Sequence, residues 1–197
     1  MQLDIAILAS HNGSNAKAIL SNIKAGKLIA NPKVIISNNP DANVLNTANE
    51  FDIPNYCINR RKSPNLDETI IQTLKDHDVN LIVLAGYMKK ISPAIIQAYQ
   101  NRILNIHPSL LPKYGGKGMY GINIHTAVIK SQDTISGATI HLVNVEYDKG
   151  KTLSQATIPR FEQDTTQTLA RRILALEHIL YTQTLIDIQE DLIILDW

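Results

Sequence analysis

The sequence predicts an α/β fold, a doubly wound, Rossmann-like and mostly parallel sheet with helices on both faces. Three observations predict it. Short apolar runs alternate with longer amphipathic segments over the first two-thirds of the chain, the strand–helix rhythm of a doubly wound sheet. Residues 79–85 are almost wholly apolar, as a central parallel strand covered on both faces requires. The first apolar run, residues 3–9, leads through a polar turn into an amphipathic segment, the strand–turn–helix entry of such sheets.

Residues 15–25 form the first helix on the spacing of Ala16, Ile19, Leu20 and Ile23. A second strand covers 32–37. The second helix, 41–51, turns Val44, Ala48 and Phe51 inward. Residues 54–58 make a third strand, and a third helix, 66–76, buries Ile70, Ile71 and Leu74. After the central strand, Ser92-Pro93 opens another helix. Serine is the N-cap and proline takes the first helical position, where its missing N–H is no loss. Residues 102–106 are the next strand. A glycine-rich loop, 114–121, precedes a helix over 122–130. The pattern then changes. Residues 136–143 and 151–159 read as neighbouring strands joined by the loop 144–150. A long helix starts near Asp164 and repeats Leu169, Ile173, Leu176 and Leu180 at helical spacing.

A chain of 197 residues, 44% hydrophobic and 19% charged, is enough for one domain with a proper core, expected here over residues 1–197. The formal net charge of +1 gives no reason to expect nucleic acid or a membrane surface as partner. The single cysteine, Cys57, excludes an internal disulfide and a cysteine-based metal cluster, and fits a reducing cytosol. The first apolar run is short and carries Asp4, unlike a signal peptide. No apolar stretch approaches the ~18 residues of a membrane span. A cytoplasmic location is the expectation.

In a strand, residues i and i+2 share a face. The run Leu104-Asn105-Ile106-His107-Pro108 therefore aims Asn105 and His107 together at a strand's C-terminal end, before Pro108 and Pro112 break the chain into a loop. An amide beside a group titrating near neutrality suits acyl chemistry: the amide holds a developing oxyanion while the imidazole moves a proton. The first turn, Ala9-Ser10-His11-Asn12-Gly13-Ser14-Asn15, presents helix N-terminal N–H groups, which carry partial positive charge and bind phosphate. Gly13 allows close approach, and Ser14 and Asn15 add polar side chains. The turn is neither G-x-G-x-x-G nor a Walker A loop, so neither a dinucleotide nor an NTP is indicated. In Val145-Glu146-Tyr147-Asp148-Lys149-Gly150, Glu146 and Asp148 are both placed to set a carboxylate against His107, which would favour the protonated imidazole. Gly86 permits a bend or a ligand's close approach after the central strand. Met88 and Ile91 could line a slot for a flat ring. His125 and His141 match no metal-ligand spacing with His107, and no metal is expected. Tyr87, Tyr114 and Tyr120 read as packing near the cleft, and Cys57 as a packed thiol.

Together these segments resemble the phosphoribosylglycinamide formyltransferase family, the folate-dependent enzymes of de novo purine synthesis. The matching segments are Asn12-Gly13-Ser14-Asn15, Ile36-Ser37-Asn38 with Asp41-Ala42, Val83 to Met88, Leu104 to Lys113, Lys117 to Gly121, Ser136 to His141 and Glu146 to Gly150. They follow family order and cover most of the chain. The resemblance implies His107 as general acid/base, Asn105 as the oxyanion-stabilising amide, and Asp148, rather than Glu146, as the carboxylate that tunes His107. It implies Gly13, Ser14 and Asn15 at the substrate phosphate and Glu177 at the ribose. Met88, Lys89, Lys90 and Ile91, with Asn105, Asn144, Val145, Glu146 and Tyr147, would bind 10-formyltetrahydrofolate as co-substrate. The N-terminal half would then bind the nucleotide, and the C-terminal half the folate and the chemistry. The partners would be small molecules, and the protein a monomer or homodimer.

Four positions depart from the family pattern. His11 stands where glycine is usual, and Lys89 where arginine is common, removing a planar fork of donors. Arg60 or Arg61 would have to replace the arginine that follows the third strand, and Lys151 takes the place of proline. Three other readings compete with the transferase. A formyltetrahydrofolate hydrolase could use the same Asn/His/Asp set, but water needs no phosphate anchor. A methionyl-tRNA formyltransferase would want a second domain and a basic surface. A non-catalytic binding protein would have little use for Asn105, His107 and Asp148 together.

Overall fold

The computed structural model describes residues 2–196. The chain runs β1 (Asp4–Leu8), α1 (Ser14–Lys24), β2 (Asn31–Ser37), α2 (Asn43–Glu50), β3 (Asn55–Cys57), α3 (Leu66–Asp76), β4 (Leu81–Leu84), α4 (Pro93–Ala98), β5 (Ile103–His107), α5 (Ile122–Lys130), β6 (Ile135–Leu142), β7 (Thr152–Pro159) and α6 (Thr166–Gln189). The strands form one seven-stranded sheet in the order β3-β2-β1-β4-β5-β6-β7. Neighbours from β3 through β5 are parallel. β6 and β7 are each antiparallel to the strand before. The change of pattern expected after residue 130 is this antiparallel pair.

Alternation along each strand builds two cores, one on each face. Ile5, Ile7, Leu81, Val83 and Leu104 point to one side, where Ile19 and Leu20 of α1, Val44 of α2, and Tyr181 and Leu185 of α6 cover them. Ala6, Leu8, Ile36, Ile82 and Leu84 point to the other, beneath Ile70 and Leu74 of α3 and Ile95 of α4. Every residue of β4 is buried, which is why its sequence is apolar without alternation. β3 is shorter than the expected 54–58. It is the sheet's edge and pairs with β2 alone, where short strands limit stray pairing.

Helix starts follow local chemistry. Ser92 Oγ accepts the Ile95 N–H at 3.3 Å, with Pro93 in the first turn of α4. α6 begins two residues after Asp164, at Thr166, because Thr165 is the N-cap and forms a capping box with Thr168. Asp164 instead accepts from Arg172 Nη1 at 2.6 Å.

The ends of β1, β4 and β5 share one edge and are tied together. The Ser10 N–H donates to Gly86 O at 3.1 Å, and Ser10 Oγ accepts from the Met88 N–H at 2.7 Å. The Tyr181 hydroxyl, fully buried on α6, lies 3.1 Å from both Leu84 O and Leu104 O. Among the described residues, no helix is long and apolar enough to cross a membrane.

Candidate active site

Four side chains converge where β5 meets β6. Asn105 and His107 lie on the same face of β5, and the antiparallel register sets His141 directly opposite Asn105. Asp148 comes from the loop between β6 and β7 and sits in the left-handed region, φ 56, a conformation aspartate tolerates better than most residues. The loop can return this close to β6 because of Gly150. A Cβ there would stand 1.6 Å from Leu142 O.

Hydrogen bonds fix the state of both rings. His141 Nδ1 is 2.9 Å from Leu142 O, and a carbonyl only accepts, so Nδ1 carries the proton. Nε2 then accepts from Asn105 Nδ2 at 3.1 Å. Burial holds the His141 pKa below the usual histidine range, the hydrogen bond to Leu142 O and the Asp148 charge opposing it, which keeps this ring neutral. His107 Nε2 is 2.8 Å from Tyr114 O and is likewise protonated. Its Nδ1 faces Asp148 Oδ1 at 3.6 Å, and His141 Nε2 is 3.7 Å from the same oxygen. These spacings exceed hydrogen-bond length and lie within ion-pair reach. Asp148 Oδ2 accepts the Gly116 N–H at 2.9 Å, which anchors the carboxylate. Asn105 keeps a second amide hydrogen for a ligand.

A cleft of about 90 Å³ opens on Asn105, His141 and Asp148, with Leu84, Ile91 and Tyr147 among its walls. Lys90 Nζ stacks 5.0 Å over the Tyr147 ring, from one wall to another. Of the residues expected at a flat-ring slot, Lys89, Lys90, Ile91, Asn105, Asn144, Glu146 and Tyr147 line it. Met88 and Val145 do not. Both side chains are exposed, and Met88 contributes its N–H to Ser10 instead. His107 shares the Asn105 face as expected, but its ring is buried behind Asp148, covered by the chain at Tyr114–Gly116. Arg60 lines a separate cavity with Pro64 to Glu68. Glu146 is exposed and pairs with Lys149, so only Asp148 reaches the histidines.

The turn after β1 forms the second part of the site. Gly13 caps α1 at φ 67, and no side chain caps the helix, so its first N–H groups have no side-chain acceptor and are available to an anion. A Cβ at Gly13 would stand 2.4 Å from Val44 Cγ2. The Asn15 side chain does not point into the turn's mouth as a separate contact. It is buried and donates from Nδ2 to Glu177 Oε2 at 2.8 Å, leaving Oδ1 without a partner. Glu177 is therefore a buried carboxyl on α6. Burial pushes its pKa up to about 7 against the pull of the Asn15 hydrogen bond. One turn further along α6, Tyr181 holds the strand end that carries Asn105. The two parts of the site share one helix.

Two residues emerge that sequence reasoning did not assign, His141 and Tyr181. Among the described residues, no group of three or more His, Cys, Asp or Glu could hold a metal ion.

The formyl transferase family model matches residues 3–185. A phosphoribosylglycinamide formyltransferase of Bacillus subtilis is 36% identical over 179 residues, 89% of this chain and 89% of that protein. The chloroplastic enzyme of Arabidopsis thaliana is 37% identical over 183 residues, 91% of this chain, and the match spans 63% of the plant protein's length. The crystal structure of glycinamide ribonucleotide transformylase 1 from Symbiobacterium toebii superposes with a TM-score of 0.91 at 31% identity, covering 99% of this chain and 91% of that one. With the match reaching across all but the chain's ends and relatives identical at more than a third of positions, this chain belongs to the formyl transferase family.

Proposed function

We propose that the chain transfers the formyl group of 10-formyltetrahydrofolate to the amine of glycinamide ribonucleotide, a step of purine synthesis carried out in the cytoplasm. One observation carries the reading: the Asn105–His141–Asp148–His107 group stands on a cleft that α6 ties, through Glu177 and Tyr181, to the helix N-terminus at Gly13, which no side chain caps. The names of the relatives agree with it.

The ribonucleotide phosphate sits on the α1 N-terminus at Gly13, Ser14 and Asn15. The ribose hydroxyls donate to Glu177 and to the leftover Asn15 Oδ1. The folate lies along Lys89, Lys90, Ile91, Asn144, Glu146 and Tyr147, with Met88 and Val145 at its outer side. The amine attacks the formyl carbon, and the carbonyl electron pair moves onto oxygen. The spare Asn105 amide hydrogen stabilises that oxyanion. His107 can take a proton only at Nδ1, the nitrogen facing Asp148. The Asp148–His107 pair therefore accepts the proton leaving the attacking nitrogen and returns it to N10 as the C–N10 bond breaks. No covalent enzyme intermediate is needed. Residues 1–197 work as one domain, with the ribonucleotide bound mainly by its first half and the folate by its second.

The test is a spectrophotometric deformylation assay with a 10-formyl folate analogue, with and without glycinamide ribonucleotide. Deformylation that requires the ribonucleotide is expected. Equal rates without it would replace this proposal by hydrolysis.

A further inference from the structure

Tyr114 reads as packing in the sequence, yet its carbonyl decides which nitrogen of His107 carries the proton. His107 Nε2 lies 2.8 Å from Tyr114 O, and a group that only accepts selects the Nε2–H tautomer, leaving Nδ1 open toward Asp148. Tyr114 presents that carbonyl from φ 60, a left-handed conformation disfavoured for any residue with a Cβ. Something outside the backbone must hold it there.

That hold is a polar cluster away from the cleft. The Tyr114 hydroxyl lies 2.6 Å from Asp133 Oδ2 and 2.5 Å from Ser131 Oγ, in the turn between α5 and β6. Lys113 Nζ donates to both Asp133 oxygens at 2.7 Å and stacks 5.2 Å over the Tyr114 ring. Asp133 is itself fixed: its N–H donates to Ser131 Oγ at 3.3 Å and its carbonyl accepts from Arg160 Nε. Arg160 also donates its backbone N–H to Thr134 O at 2.8 Å. The ion pair with Lys113 holds the Asp133 carboxyl below the usual range, so it is charged and accepts from the phenol at neutral pH. None of Lys113, Ser131, Asp133 and Arg160 lines the cleft.

We propose that Asp133 and the Tyr114 phenol are positioning residues for His107: they lock the left-handed turn at Tyr114, and its carbonyl locks the imidazole in the Nε2–H tautomer. This rests on the reading of His107 as the group that moves the proton in the proposed reaction. The cluster touches neither substrate, so its loss acts on turnover and not on binding.

The experiment reads the tautomer directly, by ¹⁵N spectra of the histidine side chains in the ligand-free protein at about pH 8.5, where an ordinary imidazole is neutral. Wild type is expected to show His107 wholly as Nε2–H. In Tyr114→Phe and Asp133→Asn a Nδ1–H population is expected. In both, kcat falls about tenfold while both KM values stay within about twofold, since the misplaced proton disables the base and not the binding surfaces. The double variant is expected to be no slower than the slower single one, because both act along one path. A wild-type tautomer spectrum in folded Tyr114→Phe overturns the proposal, as do losses that multiply in the double variant. Should Asp133→Asn fail to fold, Tyr114→Phe, which removes one oxygen, decides by the same spectrum. A wild type without ribonucleotide-dependent transfer would count against the reaction proposed above, while the spectra would still decide the role of Tyr114.

Discussion

Glu177→Gln is expected to abolish a pH dependence of stability worth about 3 kcal/mol. Burial raises the Glu177 carboxyl from 4.5 to about 7 in the folded protein, with Asn15 Nδ2 pulling the other way. Between those values the folded protein holds a proton that the unfolded chain has released. Stability is therefore intact below about pH 4.5 and falls as pH rises through about 7. That interval, at about 1.4 kcal/mol for each pH unit, amounts to about 3 kcal/mol. Glutamine keeps the shape and the acceptor for Asn15 but cannot ionise, so it carries no such slope. Urea unfolding of both proteins at pH 5 and pH 8 measures the effect, and subtracting the two pH differences cancels every other titrating group. Part of the interval lies below pH 5, so wild type is expected to lose about 2.5 kcal/mol more than the variant between the two conditions. Parallel losses would refute the burial argument, and with it the idea that Glu177 waits as a near-neutral acid for a ligand's hydroxyls.

Asn105→Ala removes the oxyanion donor, and kcat is expected to fall on the order of 10²–10³-fold with the fold intact; a wild-type rate would end that assignment. Asp148→Asn keeps an oxygen for the Gly116 N–H but removes the charge 3.6 Å from His107. Turnover is expected to drop about 10²-fold in a steady-state assay, and a loss under about twofold would move the proton path elsewhere. Gly13→Ala brings a methyl to 2.4 Å from Val44 Cγ2 at φ 67. The expected result is about 1–3 kcal/mol of destabilisation, read as a lower Tm. The KM for the ribonucleotide would rise and that for the folate would not. Unchanged values of both would show that the turn tolerates what its geometry forbids.

The alternation of strands and helices was legible because a parallel strand covered on both faces must be an unbroken apolar run, and Leu81 to Leu84 is one. Asn105 and His107 were legible for a similar local reason, since a two-residue spacing on a strand fixes a shared face. His141 was not. Its meeting with Asn105 depends on the register of an antiparallel pairing 36 residues away, across the long connection from β5 to β6. Glu177 stands four residues after Ile173 and three before Leu180, inside the apolar stripe of α6, and that spacing is what buries its carboxylate. The resemblance puts Met88 and Val145 at the folate slot, and the apolar character of Met88 suits a flat ring, but neither lines the cleft. Loop side chains obey no period, and these two turn outward.

One phenol constrains how this molecule can breathe. Tyr181 bonds at once to the last carbonyl of β4 and to the carbonyl preceding Asn105, so the two strands that floor the cleft are riveted to each other and to a 24-residue helix. Prising them apart would strip two buried carbonyls of their donor in a place water does not reach. The floor is thus the stator of the machine. Any room made for an incoming ligand comes from the segments above it, the glycine-bearing stretch at 115–121 and the β6–β7 connection. Proteolysis or hydrogen exchange would find these yielding long before the strand ends beneath them.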